Sequence, residues 1–362
     1  MKICGYCRVK DEADIIESFC RWHLVFFDAL VIWDDNSSDR TVEIIQSLID
    51  EGLAIELLHL KKEAQILIDF EFDELVAQNA RCMYIFKKYD ADWVVPLDAD
   101  EFIFCDTGIN PRIELEKLDE NKHYLFYWRT GVYSSDPVDS SIFLPNYFFE
   151  YRDPALDIIY KTILSRTLVE KWGAALTSGK HDLGFREDID ITAKPLRIYH
   201  PIIRYAHFPI RSKAHALSKA ICSQLRVMSV DGYAVFQYKR IYNDIVSEGL
   251  NISNEKVRNF SLEYALLPNQ MTGYVNSIRS SSGIINSDFL SDDIQLLYTN
   301  YNDNNFLRTI LLFIEVLINK MKDDKKKVIT ETSGMLHEMN TLVEDLNRVN
   351  LELREQLDSS NK

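Results

Sequence analysis

The stretch Trp93–Phe104, WVVPLDADEFIF, constrains the fold more than any other part of this chain. An apolar run leads into Asp98-Ala99-Asp100-Glu101, and apolar residues resume at once, so we interpret it as a buried strand that ends in three carboxylates. Ligands of open parallel sheets bind beyond the carboxyl ends of the strands. Clustered carboxylates repel one another unless a cation or a buried proton relieves them. The stretch therefore predicts a divalent metal held by oxygen ligands.

The first hundred residues alternate between strand and helix patterns, which predicts an α/β fold with a parallel sheet. The predicted strands are Lys2–Val9, Ala29–Trp33, Leu53–Leu60 and Asp92–Leu97, and the last predicted helix among them is Phe72–Tyr89. The second strand runs into Asp34-Asp35-Asn36-Ser37, so we expect two acidic clusters at adjacent strand ends. A G-x-G-x-x-G motif does not occur, so a dinucleotide-binding fold of the usual type is poorly supported.

Composition and charge exclude some classes of function. The formal net charge is −15, which argues against a basic surface for nucleic acid. Cys4 and Cys7 form a C-x-x-C inside a strand pattern, where small apolar strand residues are a better interpretation than redox or zinc chemistry. The N-terminus shows no signal-peptide pattern, and no apolar run reaches the roughly 18–20 residues of a membrane span. We expect a cytoplasmic protein, with peripheral attachment at the inner face of the cell membrane left open.

The C-terminal tail differs from the rest of the chain. Asn305–Met321 is apolar nearly all round, which predicts a helix against the body or a second subunit, or alternatively on a membrane surface. A heptad pattern follows the basic patch Lys322–Lys327 and predicts a coiled coil that makes a homo-oligomer. Its a positions are Met339, Leu346 and Leu353, and its d positions are Val328, Met335, Leu342, Val349 and Gln356. The alternative is a single amphipathic helix folded back on the body.

The acidic clusters also carry a resemblance. The first-loop run Val9–His23, the D-D-N-S-S-D-R-T that begins at Asp34 and the D-A-D at Asp98–Asp100 together resemble family 2 glycosyltransferases of GT-A fold. The resemblance covers Lys2–Phe104, and more weakly extends to H-F-P-I-R-S-K at His207–Lys213. It implies a Rossmann-like mixed sheet flanked by helices, a nucleotide-diphosphate-sugar donor and Mn²⁺ or Mg²⁺. It also implies inversion at the anomeric carbon, a saccharide or glycolipid acceptor, and a role in polysaccharide or glycoconjugate biosynthesis.

On this basis the chain divides into a transferase domain and an extension. The transferase domain spans residues 1–245, with a nucleotide-binding half at 1–105 and an acceptor half at 106–245. A helical extension covers 246–325, and the coiled-coil segment covers 326–362.

The resemblance and the residue chemistry together name the site. Donor-binding candidates are Arg8, Glu12, Asp34, Asp35, Asn79, Arg81, Asp98, Lys161, His181, Arg211 and Lys213. Asp34 alternatively only fixes its turn, and Arg81 alternatively forms an ion pair. Metal ligands are Asp98, Asp100 and, as the late histidine that many enzymes of this fold use, His207, with His181 as second choice. Glu101 is either a ligand or a cap of the next segment.

The acceptor hydroxyl must lose its proton to a base within hydrogen-bond reach. Asp182 is the first candidate for this base, and Asp153 and Asp157 are the alternatives. Two other functions fit the same residues: a sugar-phosphate nucleotidyltransferase, and a non-catalytic scaffold that binds nucleotide sugars. The first of these usually has a Gly-rich phosphate loop near its N-terminus, which this chain lacks.

Overall fold

The computed structural model describes residues 1–60, 74–133, 149–152, 159–188, 190, 192, 194–229, 236–266, 280–283, 289–290, 294–299 and 306–360. The strands are β1 Ile3–Val9, β2 Ala29–Asp34, β3 Ile55–His59, β4 Trp93–Leu97, β5 Glu101–Cys105, β6 His123–Val132, β7 Phe149–Arg152, β8 Tyr160–Thr162, β9 Leu164–Ser165, β10 Ala175–Leu176, β11 Leu183–Gly184, β12 Arg197–Tyr199, β13 Ile203–His207 and β14 Ser280–Gly283. The helices are α1 Ile16–His23, α2 Thr41–Asp50, α3 Glu74–Tyr89, α4 Pro111–Leu115, α5 Arg166–Trp172, α6 Lys213–Ser229, α7 Phe236–Glu248, α8 Asn254–Glu263 and α9 Phe306–Ser360.

The first sheet has the order β3-β2-β1-β4-β9. Strands β1 to β4 are parallel, as the alternating pattern predicts, and the short β9 runs antiparallel to β4. The mixed α/β class is thereby confirmed. The expectation that the two acidic strand ends are adjacent is wrong, because β1 lies between β2 and β4. Strand order depends on pairing between distant segments, which the local hydrophobic pattern does not encode.

The acidic turn after β4 joins the first sheet to a second one. The chain leaves β4 at Leu97 and enters β5 at Glu101, in a sheet of order β14-β7-β6-β13-β5 with β8 and β12 also paired to β6. Strand β13 pairs antiparallel with β5, so that His207 lies opposite Glu101. It pairs parallel with β6, so that His207 also lies opposite Thr130. Residues far apart in sequence thus meet at the turn.

The two cysteines of the C-x-x-C are ordinary core residues of β1. Cys4 and Cys7 are buried, free and packed in two different hydrophobic clusters. Burial raises the pKa of the Cys4 thiol to about 11 and that of Cys7 well above its usual value. These thiols stay protonated at neutral pH, so the structural interpretation of the motif holds and redox or zinc chemistry has no support.

The C-terminal helices form a separate cluster. Residues of α6, α7 and α8 share a core that includes Leu217, Ile241 and Val257, and the start of α9 lies against α6. The sequence predicts two tail segments that meet at residue 325, whereas the structure has one 55-residue helix through that point. Lysine is a good helix former, so a lysine-rich stretch interrupts the apolar pattern without ending the helix. Within the described ranges, no helix is both long enough and apolar enough to cross a membrane.

Gly5 allows the backbone of β1 to pack closely against the side chains of Leu30 and Phe27. A Cβ at this position would lie 2.4 Å from Leu30 Cδ2 and 2.9 Å from Phe27 Cδ2, and both side chains are buried. We expect Gly5→Ala to lower the free energy of unfolding by about 1–3 kcal/mol, the usual cost of overpacking. Urea unfolding measures this loss. Gly184→Ala is the matched strand control, because its nearest heavy atom is Ala175 O at 3.9 Å. Equal midpoints for the two variants would contradict the packing argument.

Candidate functional site

The site lies where the order of the first sheet reverses. The chain builds β1, β2 and β3 outward in one direction and then places β4 on the other side of β1. In open α/β sheets this switch point opens a crevice beyond the carboxyl ends of the strands, where ligands bind. The carboxyl ends here carry Arg8 in β1, Asp35 after β2 and Asp98 after β4. The fold therefore brings the predicted acidic clusters to one edge, with the end of β1 between them.

Glu101 holds the acidic turn together from within. Its Oε2 accepts a hydrogen bond from the backbone N–H of Asp98 at 2.9 Å, and its Oε1 accepts one from Trp128 Nε1 at 3.0 Å. The Lys161 ammonium is 3.1 Å away, and the Glu101 side chain is fully buried. Burial raises the pKa of this carboxyl. Of the two roles open to Glu101, these contacts favour support of the turn.

Each carboxylate oxygen of Asp98 forms an ion pair with a lysine. Lys161 Nζ lies 2.7 Å from Oδ2, and Lys180 Nζ lies 2.7 Å from Oδ1. Both ammonium groups are buried, whereas the Asp98 side chain is 47% exposed, so the carboxylate faces the crevice with the lysines behind it. Burial alone would raise the pKa of Asp98, but the two ammonium charges outweigh it and hold the pKa well below its usual value. Asp98 is thus a fixed anion at neutral pH.

Asp100 faces a second set of basic groups. Its Oδ2 lies 3.6 Å from Lys219 Nζ and 3.7 Å from His207 Nε2, and its backbone oxygen accepts from Phe208 N at 2.8 Å. Burial opposes ionisation of Asp100, but its interactions with the His207 ring and the Lys219 ammonium prevail and lower its pKa. The His207 ring stacks on Trp128 with 4.1 Å between centroids, which fixes its orientation.

The first loop is tied to the segment before α6 by one buried arginine. Arg211 donates to Glu12 at 2.6 Å and to both oxygens of Asp14 at 2.7 and 2.9 Å. Burial raises the pKa of Glu12 to about 8, and the Arg211 charge that opposes this shift is shared with Asp14. Residues nearly 200 positions apart thereby form one charged cluster beside Asp100.

The acidic pair after β2 has two different roles. Asp35 lies at the crevice edge, where Arg8 Nη2 is 2.5 Å from its Oδ2. Asp34 is buried and makes different contacts. Its Oδ1 accepts from Ser37 N at 3.0 Å, and its Oδ2 lies 3.3 Å from His59 Nδ1. The bond from Ser37 N, three residues further on, fixes the turn after β2, which is the alternative that the sequence left open for Asp34.

Two donor-binding candidates on α3 make structural contacts. The Asn79 side-chain amide binds both backbone groups of Leu176: its Oδ1 accepts from Leu176 N at 2.7 Å, and its Nδ2 donates to Leu176 O at 3.0 Å. Arg81 is buried and donates to Tyr6 Oη at 3.0 Å. The Tyr6 ring in turn lies 5.2 Å from Lys180 Nζ, so Arg81 supports the Asp98 group through Tyr6.

Three further candidates have different surroundings. His181 Nδ1 lies 2.7 Å from Tyr160 O, and its ring packs edge-on against Trp128, so it borders the site. Lys213 begins α6 and is partly buried. Asp182 pairs with Arg197 at 3.1 Å and with His123 at 3.3 Å. Asp153 and Asp157 lie outside the described residues.

Three groups that the structure brings to the site are not among the sequence predictions. They are Lys180, Lys219 and Asp14. A signal existed for Lys219, because Arg211, His215 and Lys219 follow one another at four-residue intervals, the spacing of one helix face. Lys180 carried no such signal. It follows Gly179 in a turn where both residues have positive φ, 72° and 62°, and this turn aims the side chain back at Asp98.

The donor set fits a divalent metal in part. In the part of the chain that the structure describes, no group of three His, Cys, Asp or Glu side chains could hold one. Asp100 Oδ2 and His207 Nε2, at 3.7 Å, are spaced as two ligands of one ion can be, and His207 Nδ1 has no described hydrogen-bond partner. Mn²⁺ and Mg²⁺ sites that act on phosphates often use few protein ligands and complete the shell with substrate oxygens and water. Asp98 fits less well, since both its oxygens contact lysines.

Comparison with known proteins yields structures of limited similarity. No protein-family model and no curated protein matches the chain. Among solved structures, the chain is similar to glucosyl-3-phosphoglycerate synthase from Mycobacterium tuberculosis in complex with Mn²⁺ and UDP, at 18% identity and TM-score 0.25, over 35% of this chain and 44% of that one. It is similar to S. aureus TarS in complex with UDP, at 10% identity and TM-score 0.31, over 83% and 100% of the two chains. It is also similar to a mannosyltransferase from Pyrobaculum calidifontis in complex with GDP-Man and Mn²⁺, at 13% identity and TM-score 0.34, over 72% of each chain.

Proposed function

We propose that this protein is a glycosyltransferase that moves a sugar from a nucleotide-diphosphate sugar to an acceptor hydroxyl. The observation that carries the proposal is the grouping at the switch point. Asp98 and Asp100 meet Lys161, Lys180, Lys219 and His207 there, at the same sheet edge as the Arg8–Asp35 pair. The carboxylates fix hydroxyl groups and the cations offset phosphate charge, and a nucleotide sugar presents both. The first-loop and D-A-D motifs that resemble family 2 enzymes support the same assignment.

The reaction breaks the anomeric C–O bond of the donor and forms a C–O bond to the acceptor. The nucleoside diphosphate leaves with both electrons of the broken bond and gains negative charge. Of the three lysines around the acidic turn, Lys219 is the one placed to stabilise that charge, because it is partly exposed and lies 3.6 Å from Asp100. Lys161 and Lys180 are buried behind Asp98, and their role is to keep that carboxylate ionised and oriented toward the donor ribose.

Asp100 and His207 are the residues that would hold Mn²⁺ or Mg²⁺ in this enzyme. When bound, the ion supplies Lewis-acid stabilisation of the diphosphate. Trp128 contributes by fixing the His207 ring through stacking. Asp98 remains a proposed neighbour of the ribose and of the ion.

The acceptor proton goes to a carboxylate base, for which Asp182, Asp153 and Asp157 remain the proposed candidates. Asp182 would first have to be released from Arg197. Inversion at the anomeric carbon, membership of family 2 and a setting in polysaccharide or glycoconjugate biosynthesis follow from the resemblance alone.

Calorimetry with a panel of nucleoside diphosphates and nucleotide sugars tests the proposal. We expect the wild-type chain to bind at least one of them more tightly with Mn²⁺ present. Asp100→Asn should weaken this metal-dependent binding at least tenfold, which corresponds to about 1.4 kcal/mol. Asp188→Asn is the control, because this carboxylate is exposed and pairs only with Arg186 within the described chain. Failure of every nucleotide to bind would exclude both the transferase and the nucleotidyltransferase.

Turnover assays then separate the enzyme from a scaffold. Release of the nucleoside diphosphate in the presence of an acceptor supports sugar transfer. Release of pyrophosphate from a nucleoside triphosphate and a sugar phosphate would instead identify a nucleotidyltransferase. Tight binding with neither product would leave the scaffold as the better description.

A further inference from the structure

Helix α9 extends far beyond the body of the protein. It begins against α6 and continues for 55 residues, which at 1.5 Å per residue is about 80 Å. Ile310 is buried near its start, whereas every residue from Met321 to Thr341 is exposed. This part of the helix therefore does not fold back onto the body, which was one alternative for the tail.

The exposed part of α9 carries an apolar stripe in heptad register. The a positions are Leu311, Ile318, Lys325, Thr332 and Met339, and the d positions are Ile314, Met321, Val328 and Met335. The neighbouring e positions Ile329, Leu336 and Val343 are apolar as well. The exposed apolar members of these columns, from Leu311 onward, are 45% to 67% exposed. The seven-residue spacing continues without a shift from Leu311, beside the body, through the basic patch to Met339. The stripe is therefore one continuous surface, which we call the seam.

From Lys322 to Thr341 the remaining positions of the helix carry no large apolar side chain. The column opposite the stripe contains Asp323, Thr330 and His337, and the g column beside the d positions contains Asp324, Glu331 and Glu338. Helices that lie on anionic membranes carry lysine and arginine around their apolar face. An acidic g column along one border of the stripe disfavours that occupant. A heptad seam flanked by charge is instead the surface that another helix with the same repeat covers.

We infer that a second copy of this chain covers the stripe, in a parallel, in-register coiled coil. Charge complementarity carries the choice of partner and direction. In a parallel coiled coil, each a side chain packs beside the g residue that precedes the facing a position. Lys325 of one helix then lies beside Asp324 of the other, and the ammonium in the seam gains a carboxylate. An antiparallel arrangement places the acidic g columns against each other, and like charges in contact are destabilising.

Light scattering of the full chain after size exclusion tests the assembly. We expect a mass that is a multiple of the 42.2 kDa chain. Val328→Glu/Met335→Glu places two charges in the seam and should return the mass to that of one chain. The control Thr330→Glu/His337→Glu adds the same charges seven residues apart on the opposite face, and it should leave the assembly intact. A monomeric wild-type chain, or an assembly that survives the seam variant, would overturn the inference.

A charge swap tests direction and register. Lys325→Asp alone should raise the concentration at which the assembly dissociates at least tenfold, because the new carboxylate lies beside Asp324 of the other helix. Asp324→Lys/Lys325→Asp restores an opposite-charge pair only between parallel, in-register helices, and it should return the dissociation concentration to within about threefold of wild type. A swap variant as weak as Lys325→Asp would rule out this arrangement. Far-UV circular dichroism and urea unfolding of each variant serve as the folding control.

Discussion

The Arg211→Met variant is expected to lose about 3–5 kcal/mol of unfolding free energy, the typical cost of removing one partner from a buried ion pair. Arg211 is buried and is the close cation for both Glu12 and Asp14. Methionine fills a similar volume but leaves the buried Asp14 carboxylate without its guanidinium. Urea unfolding at pH 7, followed by tryptophan fluorescence, measures the loss.

Arg197→Met is the matched control for this prediction. Arg197 also pairs with an aspartate, at 3.1 Å from Asp182, but both side chains are more than a third exposed. Ion pairs in water contribute about 1 kcal/mol or less, so this variant should unfold near the wild-type midpoint. Similar losses of unfolding free energy for the two variants would mean that burial does not strengthen the Arg211 ion pairs and that they contribute no more than an exposed pair.

The second large effect concerns Lys161, whose ammonium serves two carboxylates. Lys161→Met leaves the fully buried Glu101 without its closest cation and removes one of the two lysines on Asp98. We expect a loss of about 3–5 kcal/mol at pH 7. Adding Glu101→Gln should recover part of it, because an amide costs less to bury than an unpaired charge. Chemical unfolding of the single and double variants gives the coupling energy directly.

The pH dependence gives Lys161→Met a signature that simple loss of packing lacks. Burial already raises the pKa of Glu101 in the native protein, where Lys161 opposes the shift. Without that lysine the folded-state pKa rises further above the unfolded value, so the folded variant takes up a proton as pH falls. Folded protein that binds more protons gains stability on acidification. The deficit in unfolding free energy relative to wild type should therefore shrink as the pH is lowered from 7, and a deficit that does not change on acidification would argue against an unpaired Glu101.

Local pattern was enough to predict the four parallel strands of the first sheet. The strands at β1, β2 and β4 are runs of buried apolar residues, and the acidic residues that end β2 and β4 mark the edge where we propose the site. An apolar run of this kind indicates a buried strand whichever strands lie beside it, so the strand can be predicted from its own residues. The position of β1 between the two acidic strands was not predictable in this way, since it reflects pairing between segments some 90 residues apart.

The partners of the acidic residues were harder to predict than the residues themselves. Asp98 contacts Lys161 and Lys180, which lie 63 and 82 positions further along the chain. The sequence predicts Lys161 as a donor-binding residue but not as a partner of Asp98, and nothing in the spacing of isolated lysines singles out Lys180. The heptad repeat of the tail could be predicted more easily, because it depends only on residues seven positions apart in the sequence. Only the continuity of α9 through the basic patch had to come from the structure.

The central place of β1 has a consequence for how the protein is made. Strands β1 to β4 have all been synthesised by Leu97, and chains can begin to fold from the N-terminus during synthesis. The cations that neutralise Asp98, Glu101 and Asp14 come only at Lys161, Lys180 and Arg211. A nascent chain on the ribosome thus carries the anionic half of the site before the cationic half exists. The charges of this site are balanced only after the chain has been synthesised as far as Arg211.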